Sequence, residues 1–337
     1  MQRIRRLVLA SVAAAIALAL AGELLVRALG RRPIYERDEA LGWRPRANLA
    51  AELTARDQTG NDYAVHYATG PHGFRAFGDT AGSRMRVLFI GDSFTADPST
   101  SNDEAYFGVV RSQLPVEVFA VGGSGYGTLQ ELLLARETVD TVKPDVFVLQ
   151  YCPNDLSDNS HGLESLVSHA RNQKNLRPYL VGDAIVFRLA KRHPYRLLYE
   201  HSRLFRKLDV ELMKLEFRLD DPARRPELDS EAIATQRAAA IAVTTDLMSR
   251  LAAAMPRQAR LLTFSCDTSN PAEAQTWKPI ARAAGFEAHP SVSERVEAAE
   301  RGGEVVRLVD DVHWNRLGNR IAGEELARVI AERGSQP

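Results

Sequence analysis

The sequence predicts an α/β fold, a three-layer sandwich with a central parallel sheet, preceded by an N-terminal transmembrane helix. The first observation is a set of three short continuous apolar runs at 87–90, 116–121 and 145–151. Such runs, with helical spacing between them, are typical of parallel strands that helices cover on both faces. The second observation is an apolar stretch at the N-terminus that is long enough to cross a bilayer.

We interpret residues 1–29 as a signal anchor or transmembrane segment. The sixteen residues 7–22 carry no charge, and the apolar pattern resumes after Glu23. As one helix, residues 7–29 would be roughly 34 Å long at about 1.5 Å per residue, which is enough to span a bilayer core. Arg27 follows Glu23 by four residues, so we expect the two side chains to pair at the membrane interface.

Two other interpretations of this segment stay open. A-x-A at 19–21 is a possible signal cleavage site, and cleavage near Ala21 would release a secreted chain. The second open interpretation is that the segment is a buried helix of a soluble protein, although so uniform an apolar circumference is unusual outside membranes. Arginines flank the segment almost equally on both sides, so the positive-inside rule does not set its orientation.

The rest of the chain divides into an ordered approach segment, 30–83, and a main domain, 84–333. The approach segment is rich in Gly and Pro and contains short strands such as 63–67. The main domain carries a helical insertion at about 158–230, in which no clear strand is recognised. After it the pattern predicts helix 231–254, strand 260–265, helix 271–284, strand 305–309 and a final helix from about 315 to 332, with Asn315 as its N-cap.

Composition excludes several classes of function. The 337 residues include 43 Lys plus Arg and 43 Asp plus Glu, so the basic excess of a nucleic-acid-binding domain is missing and no nucleic-acid partner is expected. The eight histidines form no H-E-x-x-H or similar pair, so we expect neither a metal nor a cofactor. The two cysteines, Cys152 and Cys266, are too few for a disulfide framework or a Cys-based zinc site. Whether they pair stays open, and a buried structural thiol is the default for Cys152.

Ser93 and His313 are candidate catalytic residues. Ser93 ends a Gly-Asp-Ser sequence directly after the first predicted strand, and ligands of open α/β sheets bind at the carboxyl ends of strands. Capping of a helix is the alternative role for this serine. His313 lies between the last strand and the last helix, and a preceding Asp could fix its tautomer so that it accepts the serine proton.

The ends of the second and third strands supply candidate hydrogen-bond donors. Gly122 opens a glycine-rich loop after the second strand, and Asn154 follows the third. A backbone amide and a side-chain amide there could both donate to a developing oxyanion. A phosphate-binding loop is not favoured, because the Lys-Ser/Thr that follows such a loop and the G-x-G-x-x-G spacing are absent.

Taken in chain order, these four elements resemble the SGNH (GDSL-type) serine hydrolases over about residues 84–333. The resemblance implies a flavodoxin-like sheet in which Ser93 is nucleophile and oxyanion-hole donor, Gly122 and Asn154 complete the oxyanion hole, His313 is the base and Asp310 orients it. Two positions depart from the family pattern, with Cys152 and Ala120 where a glycine and an asparagine are usual. Asp311 competes with Asp310 as the orienting carboxylate, and the three-residue spacing favours Asp310.

The resemblance extends to membrane-anchored bacterial members through the leading apolar segment, the Gly-Trp-Arg-Pro stretch at 42–45 and the His-Trp-Asn at 313–315. It implies a serine esterase or acyltransferase that acts on O-acyl esters of cell-surface carbohydrate or lipid. The catalytic domain is then expected on the periplasmic side of the inner membrane, held by the N-terminal helix. The alternative function is a catalytically silent protein of this fold that binds glycan or scaffolds an envelope assembly.

Overall fold

The computed structural model of the chain describes residues 2–30, 32–167, 176–189, 195–219, 230–267 and 271–332. The helices are α1 (Gln2–Leu29), α2 (Ser93–Ala96), α3 (Tyr106–Gln113), α4 (Thr128–Val142), α5 (Asp155–Asp158), α6 (His161–Val167), α7 (Arg196–His201), α8 (Arg203–Leu219), α9 (Ser230–Ala254), α10 (Pro271–Ala283), α11 (Ser291–Arg301) and α12 (Arg316–Ala331). The strands are β1 (Tyr35–Asp38), β2 (Gly42–Pro45), β3 (Ala50–Arg56), β4 (Asp62–Ala68), β5 (Arg86–Gly91), β6 (Glu117–Gly122), β7 (Val146–Tyr151), β8 (Arg177–Val181), β9 (Ala184–Arg188), β10 (Arg260–Ser265) and β11 (Glu287–Ala288).

Five of these strands form one parallel sheet in the order β6-β5-β7-β10-β11. Numbered along the chain, this order is 2-1-3-4-5, which is that of flavodoxin-like doubly wound folds. The predicted α/β fold with a central parallel sheet is confirmed. The strand order reverses beside β5, and in such sheets the crevice for a ligand opens there, at the carboxyl ends of the strands.

Side chains of the sheet alternate between two apolar layers, as the period of two in a strand requires. In β5, Leu88 and Ile90 pack with α4, α9 and α10, whereas Val87 and Phe89 pack with α3, α11 and α12. All four side chains are fully buried. Because helices cover both faces, the open positions for polar chemistry are the strand ends.

The approach segment packs against the β6 edge of the sheet. Its strands form two antiparallel pairs, β1 with β2 and β3 with β4. The backbone N of Arg75 donates to the Ala120 carbonyl at 2.7 Å, and the backbone N of Ala120 donates to the Ala76 carbonyl at 2.9 Å. These bonds pair part of the free edge of β6, the kind of edge that natural proteins cover. The division of the chain at 83/84 stays a prediction.

Helix α1 is, within the described part of the chain, the one helix that is long and apolar enough to cross a membrane. None of its most apolar stretch is buried against the protein. The expected pair forms near its end, with Arg27 Nε 2.6 Å from Glu23 Oε1. An anchor and a signal sequence both fit these observations.

The strand predicted at 305–309 is wrong. The fifth strand of the sheet is β11, and the 305–309 segment makes only isolated bridges. Its backbone groups bond elsewhere: the N of Leu308 donates to the His313 carbonyl at 2.8 Å, and the N of Val309 donates to the Arg56 carbonyl at 3.0 Å. This segment therefore connects the turn that carries His313 to strand β3.

The prediction that the insertion at about 158–230 contains no clear strand is also wrong. Strands β8 and β9 form an antiparallel hairpin whose two-residue turn is Gly182 and Asp183. Gly182 has φ +59°, a left-handed conformation that glycine adopts readily. A Gly-Asp pair between apolar runs is a hairpin signal that the helical spacing on either side concealed. Residues 168–175, 190–194 and 220–229 of the insertion lie outside the described residues.

Candidate active site

Ser93 lies where β5 ends and α2 begins, at the carboxyl end of the strand beside which the sheet order reverses. Asp92 is the N-cap of α2, because its carboxylate accepts a hydrogen bond from the backbone N of Phe94 at 3.1 Å. The capping role that the sequence left open for Ser93 is therefore filled by Asp92. The Ser93 hydroxyl is turned to another partner.

That partner is His313, which the turn before α12 places over the end of β5. Its Nε2 lies 2.8 Å from Ser93 Oγ, and its Nδ1 lies 2.6 Å from Asp310 Oδ2. A carboxylate only accepts hydrogen bonds, so Nδ1 carries the proton and Nε2 accepts from the Ser93 hydroxyl. In this tautomer the imidazole can take the serine proton as the oxygen attacks a carbonyl carbon.

The turn itself selects Asp310 as the neighbour of His313. Asp310 Oδ1 accepts hydrogen bonds from the backbone N atoms of Val312 and His313, each at 3.0 Å. Asp311 has φ +60°, and its Oδ1 accepts from Gln58 Nε2 at 2.6 Å. The left-handed residue directs its carboxylate to the loop after β3, so the structure places Asp310 and not Asp311 against the imidazole.

Asp310 and His313 shift each other's pKa in opposite directions. Burial lowers the pKa of His313, but the hydrogen bond and negative charge of Asp310 outweigh burial and raise the pKa above its ordinary value. Burial raises the pKa of Asp310, yet the hydrogen bond and charge of His313 lower it to about 2. Asp310 is therefore ionised at neutral pH and stabilises the imidazolium that forms when His313 accepts a proton.

This raised pKa predicts the pH dependence of hydrolysis. The base must be neutral to accept a proton, so kcat/KM is expected to fall as pH drops through a pKa above the ordinary histidine value. The measurement is kcat/KM for p-nitrophenyl acetate against pH. In Asp310→Asn the acid limb should move to lower pH because the carboxylate that raises the pKa is gone. An acid limb at or below the ordinary histidine pKa in the wild type would contradict the pairing.

Gly122 ends β6 directly opposite Gly91, the last residue of β5. A Cβ atom at Gly122 would lie 2.4 Å from the Gly91 carbonyl oxygen and 3.0 Å from that of Asp92. Real Cβ atoms do not approach backbone this closely, so a side chain would push the two strand ends apart. Glycine here lets the loop after β6 start against the turn that carries Ser93.

Asn154 lies in the turn between β7 and α5, next to the turn that carries Ser93. Its Nδ2 donates to Asp158 Oδ2 at 2.9 Å and lies 3.4 Å from Asp92 Oδ2. These contacts hold the side-chain amide beside Asp92, the neighbour of Ser93, while the residue stays exposed to solvent. An amide so placed can donate to an oxyanion that forms above Ser93.

Cys152 and Cys266 form a disulfide, with their Cα atoms 5.1 Å apart. The default that Cys152 is a buried thiol is therefore wrong. The reason is the register of the sheet. Strands β7 and β10 are neighbours with Tyr151 opposite Ser265, so Cys152 and Cys266, the next residues, lie side by side despite a sequence separation of 114. The bond ties the loop that carries Asn154 to the end of β10.

A buried arginine that sequence reasoning missed connects the two loops beside Ser93. Arg177, at the start of β8, is 2% exposed. Its Nη1 donates to the Gly125 carbonyl at 2.6 Å, and its Nη2 lies 3.1 Å from Asp158 Oδ1. Gly125 belongs to the loop after β6, and Asp158 holds Asn154. An arginine within a hairpin gives no sequence signal for this role, because only the fold brings it to the two loops.

Two more carboxyl groups, Glu131 and Asp155, are fully buried near the loop that carries Asn154. Burial, and then the charge of Asp155, raise the pKa of Glu131 well above its ordinary range. Burial, and then the charge of Asp92, raise the pKa of Asp155 in the same way. Within the part of the chain that the structure describes, no group of three His, Cys, Asp or Glu side chains is arranged to hold a metal ion.

No protein-family model matches the chain, and no curated protein matches its sequence. The chain is similar to several solved structures. One is the lipase/acylhydrolase from Enterococcus faecalis, at 13% identity and a TM-score of 0.41, covering 74% of this chain and 96% of that one. A second is a member of the lipolytic protein G-D-S-L family from Veillonella parvula, at 11% identity and a TM-score of 0.37, covering 74% and 99%. A third is a catalytic mutant of an acetylxylan esterase from Geobacillus stearothermophilus, at 16% identity and a TM-score of 0.37, covering 75% and 96%.

Proposed function

We propose that the chain is an SGNH-type serine hydrolase, an esterase or O-acyltransferase that works through an acyl-serine intermediate. The observation that carries this proposal is the hydrogen-bonded series Ser93, His313 and Asp310 at the carboxyl end of β5. A serine whose only role was to cap its helix would not need an imidazole that contacts an ionised carboxylate. The arrangement favours catalysis over a silent binding protein of the same fold.

The reaction proceeds in two steps. Ser93 Oγ attacks the ester carbonyl carbon while His313 Nε2 accepts the hydroxyl proton, and the tetrahedral intermediate collapses as His313 returns that proton to the leaving alcohol. The acyl group is then held as an ester on Ser93. Water, or an acceptor hydroxyl, gives a proton to His313 and attacks the acyl carbon. Collapse releases the acid or the new ester, and the proton returns to Ser93.

Three donors support the negative charge of the tetrahedral oxygen. They are the backbone N of Ser93, the backbone N of Gly122 and the Nδ2 of Asn154. The close approach of Gly122 to Gly91 holds the two backbone donors at the strand ends. The link from Arg177 to Asp158 holds the loop that carries Asn154. Donors that are fixed in advance need no reorganisation during the reaction, which is why they stabilise the transition state strongly.

Replacement of Asn154 by alanine is expected to lower kcat by about 10²- to 10³-fold with little change in KM, because the amide acts mainly in the transition state. The measurement is steady-state kinetics on p-nitrophenyl acetate. Asn154→Asp preserves the side-chain shape but removes the donor and adds a charge beside Asp92 and Asp158, so it should be at least as damaging as alanine. A loss of thermal stability with unchanged activity per folded molecule would show that Asn154 is only structural.

The location proposed for the catalytic domain is outside the cytoplasm, held at the inner membrane by α1. The Cys152–Cys266 disulfide supports this, because such bonds persist in oxidising compartments such as the periplasm. The length and exposure of α1 support the anchor. An enzyme in that place would meet O-acyl esters of cell-surface carbohydrate or lipid, which is the substrate class we propose.

Labelling with a fluorophosphonate probe tests the proposed function. Such probes react with serines that a neighbouring base activates, and a silent binding protein would not react. We expect the wild-type chain to be labelled, and the modified peptide to contain Ser93 when it is mapped by mass spectrometry. An unlabelled chain that is folded and has an intact disulfide would favour the silent protein.

A further inference from the structure

Helix α1 is joined to the insertion through Glu23, the one acidic residue of α1. The Glu23 carboxylate accepts hydrogen bonds from Ser202 Oγ at 2.8 Å and from the backbone N of Leu204 at 2.9 Å. Arg27 completes the contact, with its Nη2 donating to the His201 carbonyl at 2.8 Å. Amides in the first turn of a helix have no partner within the helix, so Glu23 acts as the cap of α8 from another element.

This contact lies within the apolar part of α1. Three leucines between Glu23 and the approach segment remain exposed to solvent: Leu24 at 67%, Leu25 at 58% and Leu29 at 78%. They occupy the faces of α1 that α8 leaves uncovered. If α1 crosses a membrane and lipid covers these leucines, the start of α8 lies about 9 Å below Leu29 along the helix axis, in the boundary between headgroups and acyl chains.

The elbow formed by α7 and the first half of α8 (195–212) exposes apolar side chains at the same place. Four of its leucines are more than half exposed: Leu197 at 71%, Leu198 at 51%, Leu208 at 53% and Leu212 at 59%. Leu204, Leu208 and Leu212 share one face of α8 because they are four residues apart. Leu204 packs at Gly22 of α1, so this face is directed to the side on which α1 lies.

Positive charge borders the elbow. A cavity of about 850 Å³ lies beside it, and it is lined by Arg203 and Arg206 together with Arg27, which is paired with Glu23. Four acidic residues also line the cavity, and three of them, Glu36, Asp38 and Glu200, are paired with other arginines. A surface that combines exposed leucines with arginines at its border is complementary to phospholipid, which offers acyl chains beneath phosphate groups.

We propose that the elbow is a membrane-surface element whose leucine face enters the bilayer interface beside α1 while its arginines meet lipid phosphates. Together with α1 it holds the domain in one orientation at the membrane. This proposal rests on the proposed anchor, that is, on retention of α1. Amphipathic helices of this kind place their apolar face about 5–10 Å into the boundary between headgroups and acyl chains.

The test is fluorescence quenching on the full-length chain in phosphatidylcholine–phosphatidylglycerol vesicles. A cysteine is introduced at Leu208 and labelled with an environment-sensitive dye; the native cysteines are joined and do not react. Val210→Cys is the matched control, because it lies about 200° around the same helix from Leu208. Leu25→Cys reports whether α1 is in the bilayer. We expect a spin-labelled lipid to quench the dye at Leu208 and Leu25, and to leave the dye at Val210 bright.

Every other pattern overturns the proposal. Quenching at Leu25 without quenching at Leu208 means that the anchor stands and the elbow is free of lipid. A blue-shifted but unquenched dye at Leu208 means that a second copy or another protein surface covers the leucines. An unquenched dye at position 25 contradicts both the anchor and the elbow.

Glu23→Ala should reduce quenching at position 208 but not at position 25. Turnover of p-nitrophenyl acetate, measured on the same samples, separates failure here from failure of the proposed esterase function.

Discussion

Ser93→Ala is expected to lower the turnover of p-nitrophenyl acetate by about 10⁴-fold or more, since only the oxyanion hole and substrate binding would remain to promote the reaction. The hydroxyl is the group that becomes acylated, and its oxygen lies 2.8 Å from His313 Nε2. The fold should be unchanged, because the cap of α2 is supplied by Asp92 and not by the Ser93 side chain. The measurements are kcat, fluorophosphonate labelling and thermal unfolding.

Ser99→Ala is the matched control for this variant. Ser99 lies in the same connection between β5 and α3, where its backbone N donates to Asp97 and its backbone O accepts from Tyr63. Its activity and labelling should equal those of the wild type. If folded Ser93→Ala hydrolysed the ester at the wild-type rate, the assignment of Ser93 as nucleophile and the acyl-serine intermediate would both be wrong.

The positions of the candidate catalytic residues follow from the sequence because they depend on topology. Short apolar runs between helical patterns predict a parallel sheet, and all parallel strands present their carboxyl ends at one edge. Ser93, Gly122 and Asn154 each follow such a run, so their proximity follows from strand order alone. The prediction of His313 rested on its place before the last helix, on the Asp three residues before it and on the serine motif in the same sheet; the structure shows the cap of that helix at Asn315.

Contacts that depend on neighbouring strands or on a single backbone angle could not be predicted. The pairing of Cys152 with Cys266 requires the knowledge that β7 and β10 are adjacent in exact register. The three-residue spacing favoured Asp310 over Asp311, but the left-handed conformation of Asp311 that turns its carboxylate away from His313 cannot be seen in the sequence. Arg177 acts across three separate segments, and its role exists only in the folded chain.

The strand predicted at 305–309 was wrong for a related reason. Four apolar residues out of five make the segment look like a strand, and Val306 and Leu308 are indeed buried. Burial of side chains does not decide where the backbone bonds, however, and here the backbone bonds to β3 and to its own turn. The true edge strand, β11, has two residues and gives no periodic signal.

His313→Ala is expected to be as damaging as Ser93→Ala, about 10⁴-fold or more in kcat, because the base and the nucleophile act as one unit. The double variant should be little worse than either single variant. His66→Ala is the matched control: His66 also contacts a carboxylate, that of Glu52, but it lies on the exposed face of β4. Its kcat should not change. Losses in the double variant that equal the product of the two single losses would show that Ser93 and His313 act independently.

The orienting carboxylate is resolved by comparing Asp310→Asn with Asp311→Asn. Asparagine at 310 keeps the turn but removes the negative charge that raises the pKa of His313, and it allows the wrong tautomer of the imidazole. A large drop in kcat is therefore expected, of at most about 10⁴-fold, the loss known when a serine triad loses its carboxylate in this way. Asparagine at 311 should have little effect, because it adopts the left-handed conformation readily and its amide oxygen can still accept from Gln58. Steady-state kinetics on both variants decides the matter: equal, small losses would mean that neither carboxylate orients His313, and a larger loss at Asp311 would reverse the assignment.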